Sequence, residues 1–244
     1  WIKMAQKDSK LCNLMISGSK YHTSTIRNAM WYKGEILEIG TPRNDIFFIT
    51  NNSIRNNFDL NFGTKPNQKL VLYAPTFRLN YYKNTYFLDP EILIHSLKYK
   101  FGGEWKLLVR FHPNLLNKNY KELFNFTHNS VIDVTKYNDM HELLYISDIL
   151  ITDVSSSIFD FSILKRPCFL YMNDLETYER GYYFDFHKLP FELCKTFDDL
   201  NLAILKFNYN EYLNKLNLFN NELGTCEKGN SSEQIIKWIK EKVF

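Results

Sequence analysis

The sequence predicts an α/β protein: a mostly parallel sheet with helices on both faces. Three observations carry this expectation. Short apolar runs of strand length recur from about residue 66 onward, segments with helical apolar spacing separate them, and the runs end at proline, aspartate or serine-rich turns. Strands that alternate with helices close right-handed crossovers. In such open sheets, ligands bind beyond the carboxyl ends of the strands.

The elements follow in order. Lys69-Leu70-Val71-Leu72-Tyr73-Ala74, stopped by Pro75, reads as a buried strand. Pro90 opens a helix that Gly102-Gly103 ends. A second strand runs from Trp105 to Phe111 and meets His112-Pro113-Asn114; a third is Val131–Val134. Asp139 caps an amphipathic helix that buries Met140, Leu143, Leu144 and Ile146. Asp148–Asp153 is the fourth strand and leads to a helix start among Ser155, Ser156 and Ser157; Cys168–Met172 is the fifth. Upstream, Ile36–Gly40 reads as a strand and Thr41-Pro42-Arg43-Asn44-Asp45 as a turn into a helix. The Asn-rich stretches 51–67 and 207–221 read as polar loops. These features place the tail of a preceding domain and a connector in residues 1–65, and a ligand-binding domain with a C-terminal helix in residues 66–244.

Composition narrows the function. Hydrophobic residues make up 45% of the 244, enough for a substantial core, so disorder is excluded as a whole-chain state. The net charge of +3 is too mild and dispersed for a nucleic-acid binder, and no G-x-G-x-x-G occurs. It suits a small anionic substrate or a weakly attracted anionic membrane. The four cysteines (Cys12, Cys168, Cys194, Cys226) form no C-x-x-C pair, which points to a reducing cytoplasm rather than a zinc site or disulfide frame. No apolar run approaches the ~18 residues that span a bilayer. The chain opens at Trp1 in mid-pattern, as expected of a piece whose N-terminal part lies upstream.

The chemistry-bearing residues gather at strand ends. Asp153, Ser155, Ser156 and Ser157 sit where the fourth strand passes into a helix, a place where orphan N–H groups and hydroxyls favour a phosphate. Plain N-capping explains the same serines. Arg110 and His112, two apart at the end of the second strand, share one side. The arginine offers a fork to an anion, and the histidine a donor or a proton. A turn or packing histidine is the alternative. Arg78, an exposed arginine after the first strand, would complete an anion site. Beyond the fifth strand, Glu176 could accept hydrogen bonds from a ribose or polyol and Arg180 could neutralise a phosphate, or both could belong to an ordinary charged loop. Ser231 and Ser232 precede an amphipathic final helix that capping accounts for, although it could also close over a ligand. The remaining histidines, His22, His95, His128, His141 and His187, lack metal-ligand spacing and receive no role.

Together, Gly40-Thr41-Pro42-Arg43-Asn44-Asp45, Leu72–Arg78, Arg110-Phe111-His112-Pro113, Thr152–Ser156, Phe159-Asp160-Phe161, Lys165-Arg166-Pro167 and Arg180-Gly181-Tyr182 resemble the CDP-glycerol glycerophosphotransferase family of bacterial cell-wall and capsule synthesis. The order and spacing follow the family from about residue 36 to residue 240.

The resemblance implies a two-domain GT-B-like fold with the donor nucleotide on the C-terminal Rossmann-like domain, and makes residues 1–65 the end of an acceptor-side domain. It implies transfer of glycerol phosphate, or a related polyol phosphate, from a CDP-linked donor to a hydroxyl of a lipid-linked polymer, with release of CMP. It also implies peripheral attachment at the inner face of the plasma membrane, and no nucleic-acid partner. Carried over by position, His112 engages the pyrophosphate with Arg110 beside it. Ser155 and Ser156 bind phosphate, Arg78 and Arg180 lie near the donor, and Glu176 lies near the nucleotide. No cofactor is called for. Mg²⁺ could assist, but no carboxylate cage marks a metal site. The family also carries an upstream His-Gly-Thr motif with a proposed general base, and residues 1–244 do not contain it. The expectation is that this chain binds donor and that transfer needs a segment before Trp1. A nucleotide-sugar glycosyltransferase of GT-B type and a non-catalytic nucleotide-binding fragment remain alternatives.

Overall fold

The structure, a computed structural model, describes residues 2–78, 85–116, 120–177 and 184–242. Its elements in chain order are α1 (Ile2–Ser9), β1 (Leu14–Ser17), α2 (Lys20–Ala29), β2 (Glu35–Glu38), α3 (Asn52–Phe62), β3 (Lys69–Ala74), α4 (Pro90–Phe101), β4 (Trp105–Val109), β5 (Val131–Asp133), α5 (Met140–Ile146), β6 (Ile149–Thr152), α6 (Ser157–Ser162), β7 (Cys168–Tyr171), β8 (Glu192–Cys194), α7 (Phe197–Lys206), α8 (Tyr209–Leu223) and α9 (Ser231–Lys242). Two compact units emerge, residues 1–50 with 217–244, and residues 51–216.

The larger unit carries a six-stranded sheet in the order β5-β4-β3-β6-β7-β8, parallel throughout. The chain steps outward from β3 to β4 and β5, then crosses back to β6 and steps outward the other way. Right-handed crossovers put helices on opposite faces for the two directions of travel. Accordingly α4 packs with α7, while α3 packs with α5 and α6 lies on β6 and β7. The reversal of strand order falls between β3 and β6, where open α/β sheets bind ligands.

Sequence explains the framework. β3, β4, β6 and β7 are almost continuously buried, as strands covered on both faces must be. Leu70, Leu72, Leu107, Leu108, Leu150, Phe169 and Leu170 are wholly inaccessible. Helix starts are capped as the residues suggest. Asp89 accepts the N–H groups of Glu91 and Ile92 with Pro90 in the first turn, and Asp139 accepts those of His141 and Glu142. Gly102, at φ +66°, ends α4.

Two expectations change. The Asn-rich stretches are not loops, because most of α3 and α8 lies within them. Asn51 caps α3, and one apolar stripe buries Ile54 and Phe58; the Phe58 ring stacks on Phe62 at 4.6 Å and lies 6.0 Å from Tyr137. In α8, Tyr212 and Leu216, four residues apart, are buried. Asparagine is a poor helix former but tolerable on the solvated face, and tertiary burial of a few large side chains overrides it. The unit boundaries also differ from a division at residue 65: α3 belongs with the sheet, and the final helix belongs with residues 1–50.

The smaller unit holds β1 and β2, paired in parallel with Leu14 opposite Glu35. Here the Gly40–Asp45 motif secures the returning C-terminal segment. Glu227 accepts the Thr41 N–H at 3.0–3.1 Å and an Asn44 Nδ2–H at 3.1 Å. Asp45 accepts the N–H groups of Ser231 and Ser232 at 3.0 and 2.8 Å, so it caps α9 from a distance in sequence. The Ser231 hydroxyl donates to the Ile39 carbonyl instead. Gly40 adopts φ +100°, and a Cβ there would sit 2.6 Å from Ser231 Oγ. Burial alone would raise the Asp45 carboxyl, but the donors of Ser232 and Ser231 outweigh it and hold the group below its ordinary value.

Because its folded-state value is depressed, Asp45 contributes stability that is complete above about pH 4 and is lost as pH falls through the lowered value. Asp45→Asn should cost about 1 kcal/mol near pH 7, in the range of a lost helix cap. It should also flatten the acid limb of stability, read from urea midpoints between pH 3 and 7.

Candidate functional site

Register brings the ends of four strands to one edge. Ala74 of β3 lies opposite Thr152 of β6, Thr152 opposite Leu170 of β7, and Tyr73 opposite Val109 of β4. The segments that follow (Pro75–Arg78, Arg110–Asn114, Asp153–Ser157 and Asn173–Thr177) therefore leave the sheet from one edge.

Asp153 joins two of them. Its carboxylate accepts the Thr76 N–H on both oxygens at 3.0 Å, the Thr76 hydroxyl at 3.0 Å, and Arg78 Nη2 at 2.9 Å. The residue is 2% exposed. Arg78 continues the connection to the β7 end. Its Nε and Nη2 meet the two oxygens of Asp174 at 2.5 and 3.1 Å, a bidentate fork, and Nη1 donates to Thr76 Oγ1. Tyr86 Oη accepts the Arg78 N–H at 3.2 Å and donates to the Thr76 carbonyl. Burial works against the Arg78 cation, yet the hydrogen bonds and charges of Asp174 and Asp153 hold its pKa above the ordinary guanidinium value. Burial holds the Asp153 carboxyl above its ordinary value, and Arg78 and the Thr76 donors offset only part of that rise. With a permanently charged guanidinium at 2.9 Å, the pair is ionised.

Arg110 stands in the opposite condition. Its backbone N–H extends the sheet by donating to the Tyr73 carbonyl at 2.9 Å, but its Nη1 is buried and has no hydrogen-bond partner among the described residues. Burial lowers its pKa against the pull of Asp139. Phe111 turns the other way, into a cluster with Tyr86, Tyr120, Phe124 and Phe126. His112 is exposed, its ring 6.0 Å from that of Phe77. Its Nδ1 accepts the Asn114 N–H at 3.2 Å, so in the neutral tautomer Nε2 carries the proton and is a donor.

The family described as CDP-glycerol:poly(glycerophosphate) glycerophosphotransferase matches residues 2–241. The chain belongs to this family. It is 35% identical over 242 residues to the teichoic acid poly(glycerol phosphate) polymerase of Bacillus spizizenii, covering 95% of this chain and 60% of that one. The wall teichoic acid polymerase TagF superposes with a TM-score of 0.79 at 29% identity, covering 99% of this chain and 61% of TagF. A histidine variant of TagF soaked with CDPG gives a TM-score of 0.77, also at 29% identity, covering 99% of this chain and 60% of that one. The chain thus spans less than two thirds of the length of these relatives. The fold is α/β of the GT-B-like type.

Within this chain, the residues expected to meet do leave the sheet from one edge, but in different states. Arg78, expected as an exposed rim arginine, is buried and engaged by carboxylates, and Asp153 is its counter-ion. Ser155 Oγ accepts the Ser157 N–H at 3.3 Å and lies 2.7 Å from Ser157 Oγ, whereas Ser156 is exposed and its side chain caps nothing. Glu176 is exposed and paired with Lys195 at 2.6 Å, and that hydrogen bond lowers its pKa. Arg180 lies outside the described residues.

Sequence reasoning missed Asp174 and the contact of His141 Nε2 with Asp160 Oδ2 at 3.4 Å. No local pattern signals the first, because Asp174 is 96 positions from Arg78. No group of three or more His, Cys, Asp or Glu among the described residues is arranged to hold a metal.

Asp153→Ala should leave Arg78 without one buried counter-charge and the Thr76 N–H without an acceptor. A loss of about 3–5 kcal/mol is expected, the usual cost of breaking a buried pair from one side, measured by urea unfolding.

Proposed function

We propose that this chain forms the donor-binding part of an enzyme that transfers glycerol phosphate from CDP-glycerol to a hydroxyl of a lipid-linked polymer and releases CMP. The observation that carries the reading is Arg110: a buried guanidinium nitrogen without a partner among the described residues, at the carboxyl edge of a doubly wound sheet, beside an exposed histidine whose Nδ1 is an acceptor. A buried unpaired donor of this kind is costly unless a ligand supplies the acceptor. Family membership says which anion to try first.

In this reading the diphosphate lies across the ends of β4, β3 and β6. Strands stand about 4.8 Å apart, so the β4 and β6 ends are separated by roughly 10 Å, the scale of a pyrophosphate with its substituents. Arg110 and His112 grip it from one side, and the Ser156 hydroxyl from the other. As the acceptor oxygen bonds to the glycerol-bearing phosphorus, the bond to the bridging oxygen breaks and its electron pair leaves with CMP. The Arg110 charge and the His112 Nε2–H stabilise that developing negative charge. The acceptor proton passes to a general base, which the family places in its His-Gly-Thr motif. Attachment is peripheral, at the inner face of the plasma membrane, and follows from the lipid-linked acceptor; no described helix is long and apolar enough to cross a membrane.

Titration calorimetry with CDP-glycerol, UDP-sugars and CMP tests the proposal. CDP-glycerol should bind, and its affinity should fall at least tenfold in Arg110→Gln and in Ser155→Ala/Ser156→Ala. Preference for a UDP-sugar would instead support a glycosyltransferase. His112→Ala should reduce transfer by two or more orders of magnitude in the full-length enzyme, in keeping with loss of a transition-state donor, with an unchanged thermal melt. Undiminished turnover would remove His112 from the mechanism.

A further inference from the structure

We propose that Arg78 is a positioning residue, which ties the segment after β7 to the ends of β3 and β6, and is not itself a ligand of the donor. The proposal rests on the donor site above for what is positioned, while the tie itself stands on geometry alone.

All three guanidinium nitrogens are already engaged: Nε and Nη2 by Asp174, Nη2 also by Asp153, Nη1 by Thr76. The side chain is 9% exposed and that of Asp153 is 3% exposed. Charge makes the same point. One guanidinium between two carboxylates leaves an excess of one negative charge, so a phosphate would have to displace a carboxylate from a fork it already fills. Arg110, with a buried nitrogen unpartnered, has no such competitor.

The three anchoring residues belong to the ends of three neighbouring strands. Thr76 and Arg78 follow β3, Asp153 follows β6, and Asp174 follows β7. The same segments bear groups near the proposed donor: Phe77 beside His112, Ser155 and Ser156 two and three residues past Asp153, and Glu176 two residues past Asp174. Arg78 therefore acts on donor binding through its neighbours. Because Arg78 is held by a planar two-pronged contact, a lysine, which offers a point charge, cannot replace it.

Hydrogen–deuterium exchange and CDP-glycerol titration on the full chain, with Arg78→Gln, Asp174→Ala, Arg78→Lys and the Arg78→Gln/Asp174→Ala double variant, test this. Without ligand, each single variant should raise amide exchange at least tenfold in residues 76–78 and 173–177, with no further rise in the double variant. Donor affinity should fall by similar factors, within threefold of each other, in Arg78→Gln and Asp174→Ala, should not fall further in the double variant, and should not be rescued by Arg78→Lys.

A direct phosphate contact predicts the reverse. Asp174→Ala would free the guanidinium and bind donor as well as or better than the unsubstituted chain, and Arg78→Lys would recover most of the affinity. That pattern, or unchanged exchange in 173–177 on removal of Asp174, overturns the proposal. Should Arg78→Gln fail to fold, Asp174→Ala, whose removed side chain is 22% exposed, decides the matter by itself. Failure of the unsubstituted chain to bind CDP-glycerol would count against the donor reading, while ligand-free exchange would still decide the tie.

Discussion

The buried contact of Asp153 with Thr76 and Arg78 is the constraint on which the site depends. At the point where strand order reverses, β3 and β6 lie side by side while their connections leave in opposite directions, so nothing in the crossovers holds the two exits together. The carboxylate supplies that link. Four hydrogen bonds from two residues offset the cost of taking it out of water, and Arg78 extends the link to β7 through Asp174. Ser155, Ser156 and Glu176 are within a few positions of one of these anchors, whereas Arg110 and His112 follow β4.

Two arginines at one sheet edge illustrate how neighbourhood decides role. Arg78 faces two carboxylates and is a part of the framework. Arg110 is half-buried, loses solvent, and keeps a nitrogen unpartnered among the described residues, while the charge of Asp139 acts in its favour. A guanidinium cannot relieve burial by giving up its proton. It must find an acceptor, and in an open crevice a ligand can be that acceptor. The aromatic packing around Phe111 then matters for function, since it fixes the strand end that presents Arg110 and His112 on the other side.

The smaller unit shows the same economy with different chemistry. Gly40 turns the chain with a positive φ, Asp45 caps a helix that begins 186 positions later, and Glu227 gathers Thr41 and Asn44. A motif that reads as a simple turn is thus a latch for the end of the chain.

Sequence by itself determined five of the sheet's six strands and the ends that bear the site, but not the edge strand β8. Apolar runs such as Lys69–Ala74 and Ile149–Thr152 are strands because both faces are covered, and the caps Asp89 and Asp139 announce their helices locally. It also determined the family, through an ordered set of short motifs, and the placement of Arg78, His112 and Ser155 at neighbouring strand ends. Only tertiary structure decided that the Asn-rich stretches are helical, since burial of Phe58 and Leu216 outweighs weak local propensity. It alone decided which arginine is spoken for, because a charge's partners come from distant segments: Asp174 is 96 positions from Arg78, and no local pattern encodes whether two such side chains meet.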